Sequence, residues 1–568
     1  MNRCATSMLA SVLIAAPPAL AAEVTPERLI NADREPQNWL MNHRTYNGQR
    51  FSPLARISRV NVKYLKLAYA VPLAGTAGNE FIEATPLAED GFLYITDSWG
   101  VLYKIDGRSG EVGRIVWRME PHQEKQIINR GAALWGNLVI SPANGPARIV
   151  ATDKETSKVV WETNMSFGEP QLIITAAPLP IKDRIIVGAS GGDTGVRDWV
   201  AALDAVTGKV LWRKFTVPAP GESGSETWKG NNNAWQTGGA SVWVTGTYDP
   251  VTDQTIWGTG NPVPMYDPAY RPGDNLYSNS AISWDPQTGQ MNWFFQYTPG
   301  DMFDYDEVGT HILIDGEILG QPRQLITHSA RNGFLYTMDR HNGQIIGAKP
   351  YMDNVNWTKG IDQKTGKPVD YDPAKDIQTY AGIFNLTPPK KICPAISGGN
   401  NFWPSSYSPR TKLLYIPALT GCVNIEVQRN APSRPTYGFG NVWAGGRSST
   451  DERYESNLTA VDPLSQEIKK NVHLPYPNTS GTLATAGGLI FVGLMDGTVA
   501  AFDDTTLDEL WKVNLGSGFA APPMSFEVNG RQYVAIASGP SAPTKAKVNN
   551  TPELKDQRHA TVLYVFGL

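Results

Sequence analysis

"LYKIDGRSGEVGRIVW", residues 102–117, joins an apolar run, an aspartate, a turn of glycine and serine, a second apolar run and a tryptophan. Two apolar runs around such a turn predict an antiparallel hairpin: Asp106 caps the turn and glycine tolerates the positive φ it needs. The phrase returns as "IVATDKETSKVVW" (149–161), "VAALDAVTGKVLW" (200–212), "AISWDPQTGQMNW" (281–293) and "VAAFDDTTLDELW" (499–511). Weaker copies are "LYTMDRHNGQIIG" (335–347) and "LTAVDPLSQEI" (458–468). The anchoring residues are Asp106, Asp153, Asp204, Asp285, Asp339, Asp462 and Asp503. Most steps between them match the roughly 40–50 residues of one four-stranded blade. The long step from Asp339 to Asp462 leaves room for another unit around "YSPRTKLLYIPALTG" (407–421), giving about eight. An indole large enough to wedge between adjacent sheets lets each blade cover its neighbour's apolar face, and closure of the ring protects the strand edges. The expected fold is all-β: an eight-bladed β-propeller with tryptophan-docking repeats, formed as a single domain by residues 23–568. Residues 262–278 and 349–391 read as insertions on its faces, where loops commonly build sites.

Composition agrees with short strands and tight turns: the 568 residues include 17 Trp, 54 Gly and 42 Pro. A net charge of −4 excludes a basic field for nucleic acid or anionic lipid. Residues 1–22 have a weakly basic start at Arg3, an apolar stretch and an Ala-Leu-Ala site, the pattern of a secretory signal. A membrane anchor is the poorer reading, because Pro17 and Pro18 interrupt a stretch too short to span. The mature chain is therefore expected in an oxidising compartment, the periplasm, with no membrane span. Cys393 and Cys422 become candidates for a disulfide there, two buried thiols being the alternative. No C-x-x-C-H haem attachment pattern occurs, so electrons must leave for another protein.

Three clusters suggest chemistry. "GASGGDTGVRDW" (188–199) places Asp193 after the glycine turn Gly191-Gly192, "WGTGNP" (257–262) pushes the Asn261 amide outward, and "DMFDYDE" (301–307) offers Asp304 and Asp306. Together they present only oxygen ligands, which suit a hard cation such as calcium rather than zinc. Singly, each is an ordinary turn or a solvated acidic loop.

These segments, with "YNGQRFSPLARI" (46–57), "TPGDMFDYD" (298–306), "THSARNGFLYTMDR" (327–340) and "GTLATAGGLIFVGLMDG" (481–497), resemble in order the quinoprotein alcohol dehydrogenases, of the type without a haem domain. That family holds pyrroloquinoline quinone (PQQ) on the axis of an eight-bladed propeller. The resemblance implies that Asp193, Asn261 and Asp304 bind the metal, with Asp306 matching an extra carboxylate of lanthanide-using relatives. Calcium is the expected ion and a lanthanide the alternative. It makes Asp304 the general base and Arg331 the arginine at the quinone's reactive carbonyl. Trp243 falls where an indole floors the cofactor, and Glu83, Arg130, Thr175, Ser190, Gly191, Gly192 and Asn401 fall at its polar contacts. The Cys393 and Cys422 pair resembles a structural disulfide of the family.

The implied reaction is oxidation of an alcohol to the carbonyl, with hydride transfer to PQQ and electrons passed to an external cytochrome c. A non-catalytic envelope scaffold and a metal-dependent propeller hydrolase are the competing classes. Three departures from the family pattern matter. Asp193 replaces a glutamate, which shifts the metal by roughly 1 Å or draws its loop inward. Glu124 and Lys125 stand where relatives carry two adjacent cysteines over the quinone. Asn478, Thr479 and Ser480 stand at a common tryptophan. The lost lid and wall imply a wide mouth suited to bulky, secondary or polyhydroxylated alcohols.

Overall fold

The computed structural model describes residues 22–73, 81–382, 391–428 and 442–568. Among the described residues, eight blade sheets make up a ring, seven of four strands and one of five. Seven follow chain order, beginning with Leu87–Glu89, Phe92–Thr96, Leu102–Asp106 and Arg114–Met119. The seventh is Thr482–Thr485, Leu489–Gly493, Thr498–Asp503 and Glu509–Asn514, with Phe51–Ser52 added in parallel at its first strand. The eighth is closed by both ends of the chain. Met524–Val528, Arg531–Ala537 and Val562–Gly567 accept Lys66–Pro72 as their outer strand, in a register that pairs Lys66 with Gly567 and Pro72 with Val562. Lys66–Pro72 is left as the outer edge of that blade, paired on one side only.

The expected count of eight holds, but residues 407–421 do not found a blade of their own. Ser406–Ser408 pairs with Leu413–Thr420, which pairs with Glu455–Val461, the strand that leads into Asp462, so the long step is one blade plus insertions. The unit without an aspartate phrase is the eighth, because its two outer strands, Val562–Gly567 and Lys66–Pro72, are not consecutive in the chain and share no hairpin turn to cap.

The repeated turn shows why its residues recur. Asp204 Oδ1 accepts from Thr207 N at 2.8 Å and Thr207 Oγ1 at 2.7 Å. Four residues past the aspartate the backbone is left-handed in each copy, with φ of 73° at Gly110, 71° at Gly208, 61° at Ser157 and 59° at Leu507. At Gly208 glycine also makes room, since a Cβ there would collide with Trp161 of the preceding blade. Three docked indoles bond the carbonyl just past the next blade's aspartate: Trp117 to Lys154 O at 3.1 Å, Trp161 to Ala205 O at 3.2 Å and Trp212 to Pro286 O at 3.0 Å. Burial of the indole and satisfaction of its N–H come from one contact.

In a four-stranded antiparallel blade, the loop before the first strand and the loop between the second and third emerge at the same end. Arg130, Thr175, Asp304 and Asn401 lie on loops of the first kind, and Asp193, Asn261 and Arg331 on loops of the second. Topology alone therefore gathers the candidate residues at one end of the ring. Among the described residues, no helix is long and apolar enough to cross a membrane.

His43 sits fully buried in this ring with Nε2 3.2 Å from Thr245 O, and burial pushes its pKa down to about 3. Below the ordinary value near 6.5 the unfolded chain takes up a proton that the folded chain refuses, so the contribution is complete above that pH and is lost as pH falls toward 3. Between pH 6 and 4, unfolding titrations of wild type should lose about 1 kcal/mol per pH unit more than those of His43→Gln. Equal slopes would remove His43 from the acid response.

Candidate active site

The acidic run at residues 301–307 divides its labour. Asp301 is buried and folds the loop, its carboxylate accepting from Phe303 N at 3.1 Å and Tyr305 N at 3.3 Å. Met302, Phe303 and Tyr305 anchor in the core, and the Tyr305 hydroxyl donates to Pro394 O at 2.6 Å. Asp304 is left with φ of 61°, a conformation rare for a non-glycine residue and concentrated at functional sites. Asp304 and Asp306 face a cavity of about 640 Å³, while Glu307 lies behind it, accepting from Arg331 N at 2.9 Å and contacting His328 Nε2 at 3.0 Å. The glycines of "WGTGNP" permit this approach: a Cβ at Gly258 would collide with the Glu307 carbonyl, and one at Gly260 with the Asp306 carboxylate.

Arg331 binds the loop together. Its Nε donates to Ile396 O at 2.7 Å, Nη1 to Asp306 Oδ2 at 2.7 Å and Nη2 to Asp304 Oδ2 at 3.2 Å. Burial opposes the guanidinium charge, but Asp304, Asp306, Asp193 and Glu307 outweigh it and hold its pKa above the ordinary value. Asp306 has both oxygens engaged, Oδ1 by Asn261 N at 2.6 Å and Oδ2 by Arg331 and by Trp243 Nε1 at 3.1 Å.

A second set of groups surrounds Trp243. Arg130 lies over its ring with 4.5 Å to the centroid, pairs with Glu83 at 2.9 Å, and donates to Thr175 Oγ1 at 2.9 Å and Trp243 O at 3.1 Å. Thr175 and Ser190 hydroxyls meet at 3.0 Å. Glu83, Arg130, Thr175, Ser190, Gly191, Asp193, Trp243, Asp304, Asp306, Arg331 and Asn401 all line the cavity. Gly192 and Asn261 stand behind its wall: Gly192 N donates to Ser241 Oγ at 3.0 Å, and Asn261 Nδ2 to Pro262 O at 3.2 Å, which leaves the Asn261 oxygen as its ligand end. Asn401 is bonded locally, accepting from Phe402 N at 2.8 Å and donating to Ser397 O at 3.0 Å.

Sequence reasoning missed several wall residues. Ser241 Oγ donates to buried Asp198 at 2.6 Å, so Asp198 supports the turn that carries Asp193. Asp198 stood within the quoted motif but had no partner visible in the chain order. Phe402 stands 6.3 Å from Trp243, ring to ring, and Lys547 enters from a loop without a motif. One expectation is corrected. Asn478, Thr479 and Ser480 do not open the cavity: they are fully buried and bonded among themselves and to Gly493 O and Phe519 O, outside the lining. Glu124 and Lys125, by contrast, are exposed and do line it.

Cys393 and Cys422 are bonded, 29 positions apart in sequence. The bond pins the segment whose Pro394 and Ile396 carbonyls receive Tyr305 and Arg331. Replacing both cysteines by serine should cost about 3 kcal/mol in the chain-entropy model, read by urea unfolding. A loss below about 1 kcal/mol would show that the loop is held without it.

A planar aromatic acid fits the Trp243 compartment: the floor is flat, hydroxyl and guanidinium donors rim it, and Arg130 Nε is buried with no hydrogen-bond partner among the described residues. A cation fits the other compartment. Burial and the neighbouring Asp306 push Asp193 up to about 7, and burial with Asp306 and Asp193 raises Asp304 far above the carboxylate range against the pull of Arg331. Acids so crowded are stabilised by a bound positive ion. Among the described residues no three His, Cys, Asp or Glu groups close into a cage. With Asp306 committed elsewhere, the donors left are two carboxylates and the Asn261 amide.

Residues 39–348 and 434–534 match the family described as PQQ glucose/ethanol/alcohol dehydrogenase, beta-propeller domain. A quinohemoprotein alcohol dehydrogenase of Comamonas testosteroni is 36% identical over 541 residues, covering 90% of this chain and 73% of that protein. The quinoprotein alcohol dehydrogenase PedH of Pseudomonas putida is 33% identical over 566 residues, covering 94% and 91%. Among solved structures, the quinohemoprotein alcohol dehydrogenase ADHIIG of Pseudomonas putida HK5 superposes with a TM-score of 0.87 at 31% identity, over 96% of this chain and 82% of that one. A europium-containing methanol dehydrogenase gives 0.84 at 30% identity, over 95% and 100%.

Proposed function

Because the chain belongs to the PQQ-dependent glucose, ethanol and alcohol dehydrogenase family, we propose that it oxidises a bulky, secondary or polyhydroxylated alcohol in the periplasm, with calcium at the metal site and an external cytochrome c as acceptor. It is a PQQ-dependent alcohol oxidoreductase that uses PQQ and a metal ion. Membership sets aside the scaffold and hydrolase alternatives. The observation that carries the mechanism is Asp304, held in a left-handed conformation beside Arg331 at the edge of the Trp243 compartment.

When bound, PQQ supplies the two-electron acceptor and the metal ion the positive charge that polarises it. Asp304 takes the hydroxyl proton of the alcohol. Its Oδ2 is fixed by Arg331 Nη2 at 3.2 Å, which leaves Oδ1 to face the substrate. Arg331 places its guanidinium where negative charge develops, and its bonds to Ile396 O and Asp306 keep it from turning away. Asp306 orients three donors at once: Asn261 N, Trp243 Nε1 and Arg331 Nη1. Trp243 and Phe402 keep water from the floor of the cavity.

The substrate class rests on the mouth at Glu124 and Lys125, which has no covalent lid. The periplasmic reading rests on the disulfide and on residues 1–22 as a signal, of which 1–21 lie outside the described residues. Protein loaded with PQQ and calcium should show a quinone absorption band. With a saturating artificial acceptor, its kcat/KM should be higher for bulky secondary or polyhydroxylated alcohols than for methanol or ethanol. A clear preference for methanol or ethanol would overturn the substrate class.

A further inference from the structure

The cations on the cavity wall differ in their company. Arg130 faces Glu83, and Arg331 is spent on Asp304, Asp306 and Ile396 O. Lys547 Nζ donates to the Ser397 hydroxyl at 2.9 Å and lies 6.0 Å from the Trp403 ring centroid, with no carboxylate within ion-pair distance among the described residues. A half-buried ammonium with one neutral hydroxyl partner is left with donors to spare. Burial, with Arg331, lowers its pKa to about 8 against the opposing pull of Glu83 and Asp304, so the group is still mostly charged at pH 7.

The backbone holds it there. Ser541 Oγ donates to Glu83 Oε1 at 2.6 Å and caps the Ala542–Lys545 turn, which runs on into Ala546–Val548. Beyond that turn, Asn550 Nδ2 donates to Thr450 O at 3.1 Å and Glu452 O at 2.9 Å. A loop tied at both ends thus sets an ammonium with unused donors into the wall, within electrostatic reach of Asp304.

We propose that Lys547 determines specificity by binding a carboxylate on the substrate, so that the alcohol oxidised is a hydroxy acid. This rests on the alcohol dehydrogenase reading above and narrows its substrate class. The reacting carbinol meets Asp304 while the acid group meets Lys547, and the two arginines, already paired, leave the carboxylate to the lysine.

The test compares glycerate with glycerol, and adds 2-hydroxyisobutyrate, a tertiary alcohol that has no carbinol hydrogen to lose. The loaded enzyme should favour glycerate by at least ~10-fold in kcat/KM, and Lys547→Met should erase at least ~10-fold of that ratio, chiefly through KM, whereas Lys547→Arg retains it. 2-Hydroxyisobutyrate should compete in wild type and weaken by a similar factor in Lys547→Met. Equal use of glycerate and glycerol overturns the proposal. So does a Lys547→Met enzyme that loses PQQ affinity by absorbance titration while its glycerate ratio stands, which would assign the lysine to a cofactor carboxylate. A variant altered only in melting temperature would reduce Lys547 to a tie for its loop, against the proposal. If the loaded protein oxidises no alcohol at all, the parent reading fails; calorimetric binding of 2-hydroxyisobutyrate then decides, its loss in Lys547→Met supporting the inference and its persistence overturning it.

Discussion

Asp304→Asn should bind PQQ with an unchanged absorption band and lose about 10²–10⁴ of kcat, the range contributed by a positioned proton acceptor. The exchange is chosen for its geometry. Asparagine tolerates the left-handed backbone that Asp304 adopts at φ 61°, so the loop is expected to stay folded. The amide oxygen can still accept from Arg331, so the guanidinium keeps its place. What disappears is the capacity to take a proton from the alcohol. Full turnover in a variant that retains its cofactor would move the base elsewhere. Asp193 would then be the next carboxylate to test, since it also lines the cavity.

Stripping the metal should abolish turnover, and calcium should restore it. Asp193 and Asp304 face one cavity, and without a cation Asp193 helps to raise the pKa of Asp304 while Asp306 raises that of Asp193, so removing the ion leaves like charges to repel or protonate. Asp304 then loses its use as a base at neutral pH. The choice of ion follows from Asp306. Its oxygens are taken by a backbone amide, an indole and a guanidinium, so two carboxylates and the Asn261 oxygen remain, a charge that suits a divalent ion. Titrating metal-free protein by calorimetry, beside assays with calcium and with a light lanthanide, separates the cases. Activity with the lanthanide alone would overturn calcium and return Asp306 to the ligand set.

The propeller was legible because its signal is local and repeated. The aspartate turn, the left-handed position four residues later and the docking indole lie within a dozen residues, and blade after blade restates them. The closing blade had no such phrase. Its strands come from the two ends of the chain, so only the assembled ring reveals it. The site was legible to the extent that short motifs keep their residues together, as in "WGTGNP" and "DMFDYDE". Asp304, Asp306, Asn261, Arg331 and Trp243 fall together because the loops before the first strand and those between the second and third emerge at one end of every blade.

The sequence by itself determined the repeat, the blade-to-blade wedge, the disulfide candidates and the identity of the acids at the axis, all properties of residue type at short spacing. Tertiary structure alone decided how those acids divide their work. Asp306 and Asp304 share a side chain but not surroundings: three donors from separate loops saturate one carboxylate, and the other, on a left-handed backbone, has one oxygen bonded to Arg331 and faces the cavity. The same holds for Asn478 to Ser480, which are bonded inward and away from the cavity. Lys547 enters the wall on a loop fixed by contacts to residues far from it in the chain. A side chain's chemistry depends on what desolvates it and what shares its protons, and in a closed ring those partners are set by the meeting of distant segments.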